Sequence, residues 1–272
     1  MAGEMDKLIA ALAVSKKLEW NKASLANQTA GIWCSLWRAT GEPQQGAIPT
    51  SAAACDDTFT GSWGLDAPGS GNELYLARAM GFSGIVASLV VFDRLAHMGG
   101  LSGTVATAQT VNLSVATAAG QGRCLASGGD VQWFTEHYAD TGSTVVTVNA
   151  SYTDETDTSG RTTPTISWAA TRRIGNCYRF DPAQGISPRF IKSIQTVTLS
   201  ASTLTAGNFG ITARKRLFTI PIILANSGLT FDFAGLALPK IKEQSCLEIL
   251  VLPGTTSSGA QIGNMEVIAA AL

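Results

Sequence analysis

From residue 104 onward the hydrophobic pattern of the sequence has a period of two, and this alternation constrains the fold more than any other feature. In the stretch TVNLSVAT, Val111, Leu113 and Val115 alternate with polar residues. The stretch STVVTVNASYT repeats the pattern, with Val146 and Val148 on one face. Such alternation is typical of an antiparallel strand that has one face on a core and the other in water.

Turn residues between these stretches predict two hairpins. The first covers residues 144–171, with the turn DETDTSGR between its two arms. The second joins SIQTVTLSAST to FGITA through the residues AGN. The run from Leu247 to Leu252 is apolar at successive positions, which indicates a central strand covered on both faces. Many short strands separated by Gly and Ser turns predict a mainly β fold, an antiparallel sandwich or jelly-roll-like domain.

The N-terminal part has a helical pattern instead. Met5, Leu8, Ile9 and Leu12 recur at helical spacing, and charged residues occupy the remaining faces. This pattern predicts an amphipathic helix within residues 4–29, so the fold has an α-helical N-terminal segment.

A tryptophan-rich stretch follows this helix. Such an aromatic arm packs on its own domain or docks into a neighbouring molecule, and the sequence leaves both readings open. The residues proposed for an intersubunit interface are Leu8, Leu12, Trp20, Trp33 and Trp37.

The middle of the chain is rich in turn residues. Residues 41–72 contain nine Gly and Pro residues, which predicts a long connecting loop. The apolar run at 79–92 is shorter than the roughly 20 residues that a membrane-spanning helix needs, so it is interpreted as a buried core element. The sequence therefore predicts a helical N-terminal arm at 1–40, a loop-rich connecting region with a buried apolar segment at 41–103, and a β-rich domain at 104–272.

Charge and cysteine content restrict the partners. The net charge is -1 and the basic residues are scattered, so no surface is expected to bind nucleic acid, and no membrane partner is expected. Only 14% of the residues are charged, which indicates that part of the surface is covered by neighbouring copies. The five cysteines are far apart and form no CxxC pair, so we expect reduced core thiols. The stretch MAGEMDKLIAALAV lacks a basic region before its apolar part, so export through a secretory signal is not expected.

Motifs of common enzyme and metal sites do not occur in the sequence. His97 and His137 do not lie in HExxH, HxH or HxxxH arrangements. GFSGI and GLSGT miss the spacing of a serine nucleophile elbow, and no P-loop or complete GxGxxG is present. The sequence therefore predicts no catalytic residue, no cofactor and no metal site. His137 is interpreted as a structural histidine, and an acid-base pair with Glu136 or Asp140 is the alternative.

Two groups of carboxylates are candidates for a catalytic or calcium site. Asp56 and Asp57 are adjacent, so on an extended segment they project to opposite faces and do not share one substrate. Asp154, Glu155 and Asp157 lie at the predicted hairpin tip, where acidic residues solvate the turn and satisfy its backbone. A calcium site at this tip is the alternative, although the EF-hand pattern is absent.

Several stretches together resemble the structural proteins of tailed bacteriophages and prophages. They are MDKLIAALAVSKKLEWNK, IWCSLWRATGEPQQGAIP, FDRLAHMGGLSGTVATAQTVNLSVAT, HYADTGSTVVTVNASYT with SGRTTPTISWAATRR, and IQTVTLSASTLTAGNFGITARKRL. The most specific part is the TVVTVNASYT strand closed by SGRTTPT, followed by QTVTLSAST with TAGNFG. The resemblance spans most of residues 5–256. It implies a virion protein, made in the host cytoplasm, whose partners are copies of itself and other virion proteins.

Three functions follow from these observations as hypotheses. The first is a multicopy capsid-associated or decoration subunit that stabilises the particle through intersubunit contacts. The second is a component of the tail or of the head-to-tail connector. The third is a carbohydrate-binding adhesin, which requires Trp63, Trp133 or Trp168 to form an exposed aromatic platform. An enzyme would require a cleft with carboxylates near His137.

Overall fold

The computed structural model describes residues 2–25, 28–168, 172–185 and 190–272. Strands dominate these residues, together with one longer helix and two short ones. The helices are α1 (Ala2–Ala13), α2 (Ala116–Gly120) and α3 (Phe233–Leu236). The strands are β1 (Lys16–Lys22), β2 (Trp33–Ser35), β3 (Gly41–Glu42), β4 (Ala53–Ala54), β5 (Glu73–Ser83), β6 (Ala87–Leu101), β7 (Gln109–Ser114), β8 (Val131–Ala139), β9 (Val146–Asp154), β10 (Arg161–Thr162), β11 (Ile166–Trp168), β12 (Asn176–Phe180), β13 (Ile191–Leu199), β14 (Asn208–Ile222), β15 (Ser227–Phe231), β16 (Lys240–Ile241), β17 (Leu247–Pro253) and β18 (Gln261–Ala270).

The strands form three antiparallel sheets. The outer sheet has the order β15-β5-β18-β1-β3, with β16 also paired to β5. The small sheet has the order β10-β9-β13-β7, with β11 also paired to β9. The third sheet has the order β14-β8-β12-β2-β17-β6-β4, and β14 pairs a second time with β6. Six of its strands therefore form a closed ring, which we call the closed sheet.

Closure gives the third sheet an interior and an exterior. Along β6, β8 and β17 the side chains alternate between the two sides, as they do on any pleated strand. The interior contains an apolar cluster made of Val90, Phe92, Phe134, Cys177 and Leu250, with Trp33 half-buried against it.

The exterior of the closed sheet packs against the two other sheets and forms two cores. In the first core, Trp20 and Met265 of the outer sheet meet Leu89 of the closed sheet. In the second core, Val148 of the small sheet meets Ile211 of the closed sheet. The two longest strands, β6 and β14, each contribute to both cores because their opposite ends lie under different sheets. The closed sheet is thus the central body of the molecule.

The predicted fold class is confirmed: the chain is mainly β, its sheets are antiparallel and layered, and a helix lies at its N-terminal end. The alternation of β9 matches its burial, with Val146, Val148, Ala150 and Tyr152 buried. β9 also pairs with β10 and β11, so the first predicted hairpin is confirmed, except that 169–171 lie outside the described residues. β17 lies between β2 and β6, as predicted for a central strand.

The N-terminal helix is shorter than predicted. It ends at Ala13, and Lys16–Lys22 forms β1, which pairs along its whole length with β18. The predicted helical arm at 1–40 therefore contains one helix, α1, followed by the strands β1 and β2. The period of the sequence changes to two at KKLEWNK, where Leu18 and Trp20 point into the first core while Lys17 and Glu19 face water.

The second predicted hairpin is wrong. β13 pairs with β7 and β9 in the small sheet, whereas β14 pairs with β6 and β8 in the closed sheet. Val197 of β13 and Ile211 of β14 nevertheless lie in the same core. The two strands face each other across a sandwich, and alternation alone does not distinguish strands that stack from strands that pair.

The predicted connecting region at 41–103 holds two of the longest strands. Residues 41–72 have only the two-residue strands β3 and β4, which agrees with the expected loop. The apolar run at 79–92, however, divides into the end of β5 and the start of β6 around a turn at Gly84. The outer sheet takes β1, β5 and β18 from all three predicted segments, so these segments do not form separate sheets. No helix among the described residues is long and apolar enough to cross a lipid bilayer.

Candidate functional site

The structure places the tryptophans proposed for an interface mainly in the protein interior. Trp20 is buried in the first core, and its ring lies against Gly263 of β18. Trp37 is buried and its indole nitrogen donates a hydrogen bond to the Ala47 carbonyl at 2.8 Å. Trp33 is half-buried at the interior of the closed sheet. A contact between these rings and a neighbouring molecule would require the chain to open. Their burial therefore favours the interpretation that the tryptophans pack on their own domain.

The helix α1 presents two different faces. Leu8 is buried and Leu12 half-buried, and both pack on the outer sheet near Ile268. Met5 and Ile9, on another face, are exposed. Leu8 and Leu12 therefore attach the helix to its own molecule. The accessible apolar residues of the helix, Met5 and Ile9, are not among the residues proposed for the interface.

The tryptophans required by the adhesin hypothesis are buried as well. Trp133 donates a hydrogen bond from its indole nitrogen to the Ile191 carbonyl, and Trp63 donates one to the Glu19 carbonyl, both at 2.8 Å. Trp168 is buried beside His137. Because none of these three rings is exposed, they do not form the shallow platform that stacks on a sugar, and this basis for an adhesin is lost.

Large apolar side chains are exposed at one end of the molecule. Beyond the last pair of β14 with β6, Ile222 opposite Ala87, the chain turns through Ile223 and Leu224. These two side chains are 80% and 66% exposed. Val86, which precedes Ala87 in the neighbouring turn, is 37% exposed. We call Val86, Ile223 and Leu224 the apolar end.

Backbone contacts hold the apolar end in place. The Asn226 N–H donates to the Ser83 carbonyl at 3.0 Å, which fixes the turn after β14 to the end of β5. The Gly254 N–H donates to the Val86 carbonyl at 2.9 Å, which fixes the turn before β6 to the end of β17. The exposed side chains are thus carried by turns that hydrogen bonds tie to the ends of β5 and β17, a rigid mounting suited to a contact surface.

The closed sheet contains a second unusual feature, a group of four buried charges. A register shift between Ala213 and Arg214 places Arg214 directly opposite Arg94. Two like charges at opposing positions repel each other. The strand on either side supplies a carboxylate: β8 carries Glu136 and β17 carries Glu248. We call Arg94, Glu136, Arg214 and Glu248 the ion cluster.

Short hydrogen bonds connect the ion cluster. Arg94 Nη2 donates to Glu136 Oε2 and to Glu248 Oε2, each at 2.7 Å. Arg214 Nε donates to Glu248 Oε1 at 2.6 Å, and Arg214 Nη2 donates to Glu136. The Arg94 guanidinium also lies 4.2 Å from the centre of the Trp37 ring, a cation–π contact. The four side chains are fully buried, and their charges sum to zero.

The pKa values within this cluster favour the charged forms. Burial raises the pKa of Glu136, but the guanidinium groups of Arg94 and Arg214 outweigh it, so the net pKa lies below its usual value. For Arg94, burial lowers the pKa, and the two glutamates more than offset this effect. The cluster is therefore ionised as a unit, and its chemistry is that of a structural network.

His137 is enclosed by aromatic rings. Trp168, Tyr178 and Phe209 surround it, the nearest ring centre being 4.6 Å away, and His137 Nδ1 lies 3.2 Å from the Asn176 carbonyl. Burial lowers the pKa of His137 to about 4. Such an enclosed, neutral ring fits the interpretation as a structural histidine.

The carboxylates considered beside His137 have other partners. Glu136 belongs to the ion cluster, on the opposite side of β8 from His137. Asp140 accepts hydrogen bonds from Arg173 Nη1 at 2.9 Å and from the Ile174 N–H at 2.8 Å. Neither carboxylate contacts the imidazole, so the acid-base pair considered from the sequence is not formed.

The acidic hairpin tip is organised by one buried carboxylate. Asp154 Oδ1 accepts hydrogen bonds from the backbone N–H groups of Thr156 and Thr158, and Oδ2 accepts one from Arg161 Nε at 3.0 Å. These bonds outweigh burial and lower the pKa of Asp154 to about 2. Asp157 pairs separately with Lys192. The carboxylate thus satisfies the turn backbone, as the sequence predicted.

Asp56 and Asp57 also act separately. Asp56 accepts hydrogen bonds from the Thr58 backbone and hydroxyl, whereas Asp57 accepts one from the Leu65 N–H at 3.4 Å. Within the described ranges, no three His, Cys, Asp or Glu side chains are grouped in a way that could hold a metal ion.

Comparison with known proteins gives little further information. No protein-family model matches the chain, and no curated protein matches it. Among solved structures, a chain from the T=1 particles derived from infectious bursal virus has 10% sequence identity to this chain and a TM-score of 0.21. The match covers 94% of this chain and 77% of that one. The Gt strain of infectious bursal disease virus gives 10% identity, a TM-score of 0.21 and coverage of 94% and 80%. A chain from a structure that describes the triple jelly roll fold in an archaeal virus has 8% sequence identity and a TM-score of 0.15. This match covers 90% of this chain and 96% of that one. TM-scores this low carry no argument about the role of the chain.

Proposed function

We propose that this chain is a non-enzymatic structural subunit of a bacteriophage virion, present in many copies, that stabilises the particle as a capsid-associated or decoration protein. The observation that carries the proposal is the apolar end, where Ile223 and Leu224 are 80% and 66% exposed on a rigid mounting. Large apolar side chains that are grouped on a protein surface mark sites of protein–protein contact. The partner we propose for this surface is another copy of the chain.

The body of the molecule supports the same role. The closed sheet is covered by two further sheets, and the ion cluster joins four of its strands through charge-assisted hydrogen bonds. Such a body resists deformation, and a contact of roughly 1,600 Å² repeated by symmetry holds a shell together without one strong site. The resemblance of the strand sequences to phage structural proteins supports a bacteriophage as the kind of particle.

A tail or connector component is the alternative with the same physical basis, since a ring would use the same exposed end. The two locations differ in copy number and symmetry. The stoichiometry of the assembled protein therefore separates them.

The test is the mass of the purified protein by light scattering across a range of concentrations. We expect an oligomer of defined copy number for the wild type and a monomer for the double variant Ile223→Asp/Leu224→Asp, because charges at the centre of an apolar contact prevent its desolvation.

A matched control is Leu204→Asp. Leu204 is 79% exposed, but it lies before the opposite end of β14, a strand of 15 residues whose extended length is about 45 Å at about 3.3 Å per residue. This control should assemble like the wild type. A wild-type protein that stays monomeric at every concentration would contradict the proposal, as would a double variant that assembles normally.

A further inference from the structure

Two cysteines meet where two strands end on the same edge of β6. β4 pairs with the later part of β6, Ala54 opposite Ala96, and the next N–H, that of Cys55, donates to the Leu95 carbonyl at 3.1 Å. β17 pairs with the earlier part, and Arg94 N–H donates to the Cys246 carbonyl at 2.8 Å. Cys55 and Cys246 therefore occupy adjacent positions along one strand edge although 190 residues separate them in sequence.

The two side chains also meet. Cys55 and Cys246 are buried in one small cluster with Trp37, and the Cys55 thiol is near enough to the Cys246 thiol to raise its pKa. Two cysteines at neighbouring positions on one strand edge, buried in the same cluster, have the proximity that a disulfide requires.

The other three cysteines do not offer such a pair. Cys34 and Cys177 lie on the paired strands β2 and β12, but Cys34 belongs to the first core and Cys177 to the interior of the closed sheet. Their side chains are thus on opposite sides of the sheet. Cys124 belongs to the second core and not to the cluster that holds Cys55 and Cys246.

We infer that Cys55 and Cys246 are a latent disulfide pair, which forms under oxidising conditions and fastens β4 to the start of β17. The oxidant is a small-molecule disulfide such as oxidised glutathione. One cysteine thiolate attacks it and releases one small thiol as a mixed disulfide forms. The second cysteine displaces the other small thiol, so one S–S bond is made, one is broken, and two protein thiols become one disulfide.

The native environment makes the pair slow to react. Burial and the neighbouring Cys55 thiol raise the pKa of the Cys246 thiol well above its usual value, and the thiolate is the form that attacks a disulfide. Reaction therefore requires the edge to open. β4 has only two residues and follows a long loop, so few backbone hydrogen bonds have to break to release it. The reduced pair suits the cytoplasm and the oxidised pair suits the outside of a cell. This inference does not depend on the proposed function.

The experiment is oxidation of the full chain with oxidised glutathione in a urea concentration below the unfolding transition, followed by alkylation and peptide mapping. We expect three of the five thiols to remain open to alkylation and one cross-linked peptide pair to join Cys55 with Cys246. The urea midpoint of the oxidised protein should rise by on the order of 1 M, because a disulfide across a long loop restricts the unfolded chain.

The control variants are Cys55→Ser, which should keep all its thiols reduced, and Cys34→Ser, which should still form the cross-link. Peptide mapping of the wild type does not depend on whether these variants fold. Five free thiols after oxidation, a cross-link through another cysteine, or an unchanged urea midpoint would overturn the inference.

Discussion

At the scale of single residues, the interior of the closed sheet is organised by charge. Arg94 and Arg214 stand opposite each other on paired strands, and each contacts both Glu136 and Glu248. Taking an ion out of water costs several kcal/mol, and the mutual attraction of the four groups offsets this cost only while the set is complete. Removal of one charge and removal of an opposite pair should therefore differ in their effect on stability.

The first prediction concerns this difference. Arg214→Met leaves two carboxylates with one guanidinium, and should lower the free energy of unfolding by about 3 to 5 kcal/mol. The double variant Arg214→Met/Glu248→Met keeps a neutral pair, Arg94 with Glu136, and should be more stable than the single variant. Urea unfolding at pH 7 measures both. A double variant no more stable than Arg214→Met would show that the charges do not act as a unit.

The second prediction concerns acid. The pKa of His137 is about 4 in the folded protein and 6.5 in an ordinary environment, so below pH 6.5 the unfolded chain binds a proton that the folded protein excludes. Stability from this residue is complete above pH 6.5 and is lost as the pH falls towards 4. Between pH 7 and pH 5 the loss is about 2 kcal/mol.

The measurement is urea unfolding of His137→Phe at pH 7 and pH 5. The variant should lose about 2 kcal/mol less than the wild type on acidification, because the phenyl ring does not titrate. Tyr178→Phe is the matched control, since it changes the same aromatic enclosure and keeps the histidine. Equal pH dependence in His137→Phe and wild type would contradict the assignment.

These residues also show a limit of sequence analysis. Arg94 stands in VVFDRLA and Glu248 in CLEILVL, where a charge in a strand pattern normally indicates the water face. Their inward orientation follows from the closure of the sheet, which depends on partners far away in sequence. The interpretation of His137 as a structural histidine depended only on the spacing of its sequence neighbours, which is a local property.

At the scale of elements, strand packing depends on small residues at fixed positions. Gly263 of β18 lies under the ring of Trp20 of β1, so the outer sheet accepts a large aromatic side chain only where the facing strand has no side chain. This arrangement explains why Trp20, considered for an interface, lies in the core. Tryptophan-rich sequence alone gives no sign of such a space.

The third prediction follows from this contact. A methyl group at Gly263 would lie 2.1 Å from the Met80 carbonyl oxygen and 2.2 Å from the Trp20 ring, so Gly263→Ala should cost about 1 to 3 kcal/mol. Gly64→Ala is the control, because nothing lies within 4 Å of the added methyl group. Both are measured as shifts of the urea midpoint. Equal midpoints for the two variants would contradict the packing of Trp20 on β18.

The elements that were predicted correctly are those with a local signature. The period of two identified β7 and β9, the continuous apolar run identified β17, and the turn DETDTSGR identified the first hairpin. The pairing of β13 and β14 was predicted wrongly because sequence neighbours usually pair, and here they stack across a core. Register and partner are long-range properties, which one sequence does not contain in local form.

At the scale of the whole molecule, the chain is a closed sheet covered by two others, with two cores outside it and an ion cluster within it. At one end of it, two consecutive large apolar side chains, Ile223 and Leu224, are 80% and 66% exposed. The sequence predicted self-association from low charge content but assigned it to buried residues. The run TIPIILANSGL, in which alternation is lost at the end of a strand, was the available signal.

The central claim is that copies of this chain contact each other through the apolar end, and photo-cross-linking tests it most directly. The five native cysteines are buried, so a benzophenone maleimide would attach selectively to the introduced thiol of a Leu224→Cys variant, and Leu204→Cys serves as control. We predict covalent oligomers from the first variant on illumination and none from the second. Illuminated Leu224→Cys protein that remains monomeric on a denaturing gel, or equal cross-linking from both positions, would contradict the claim.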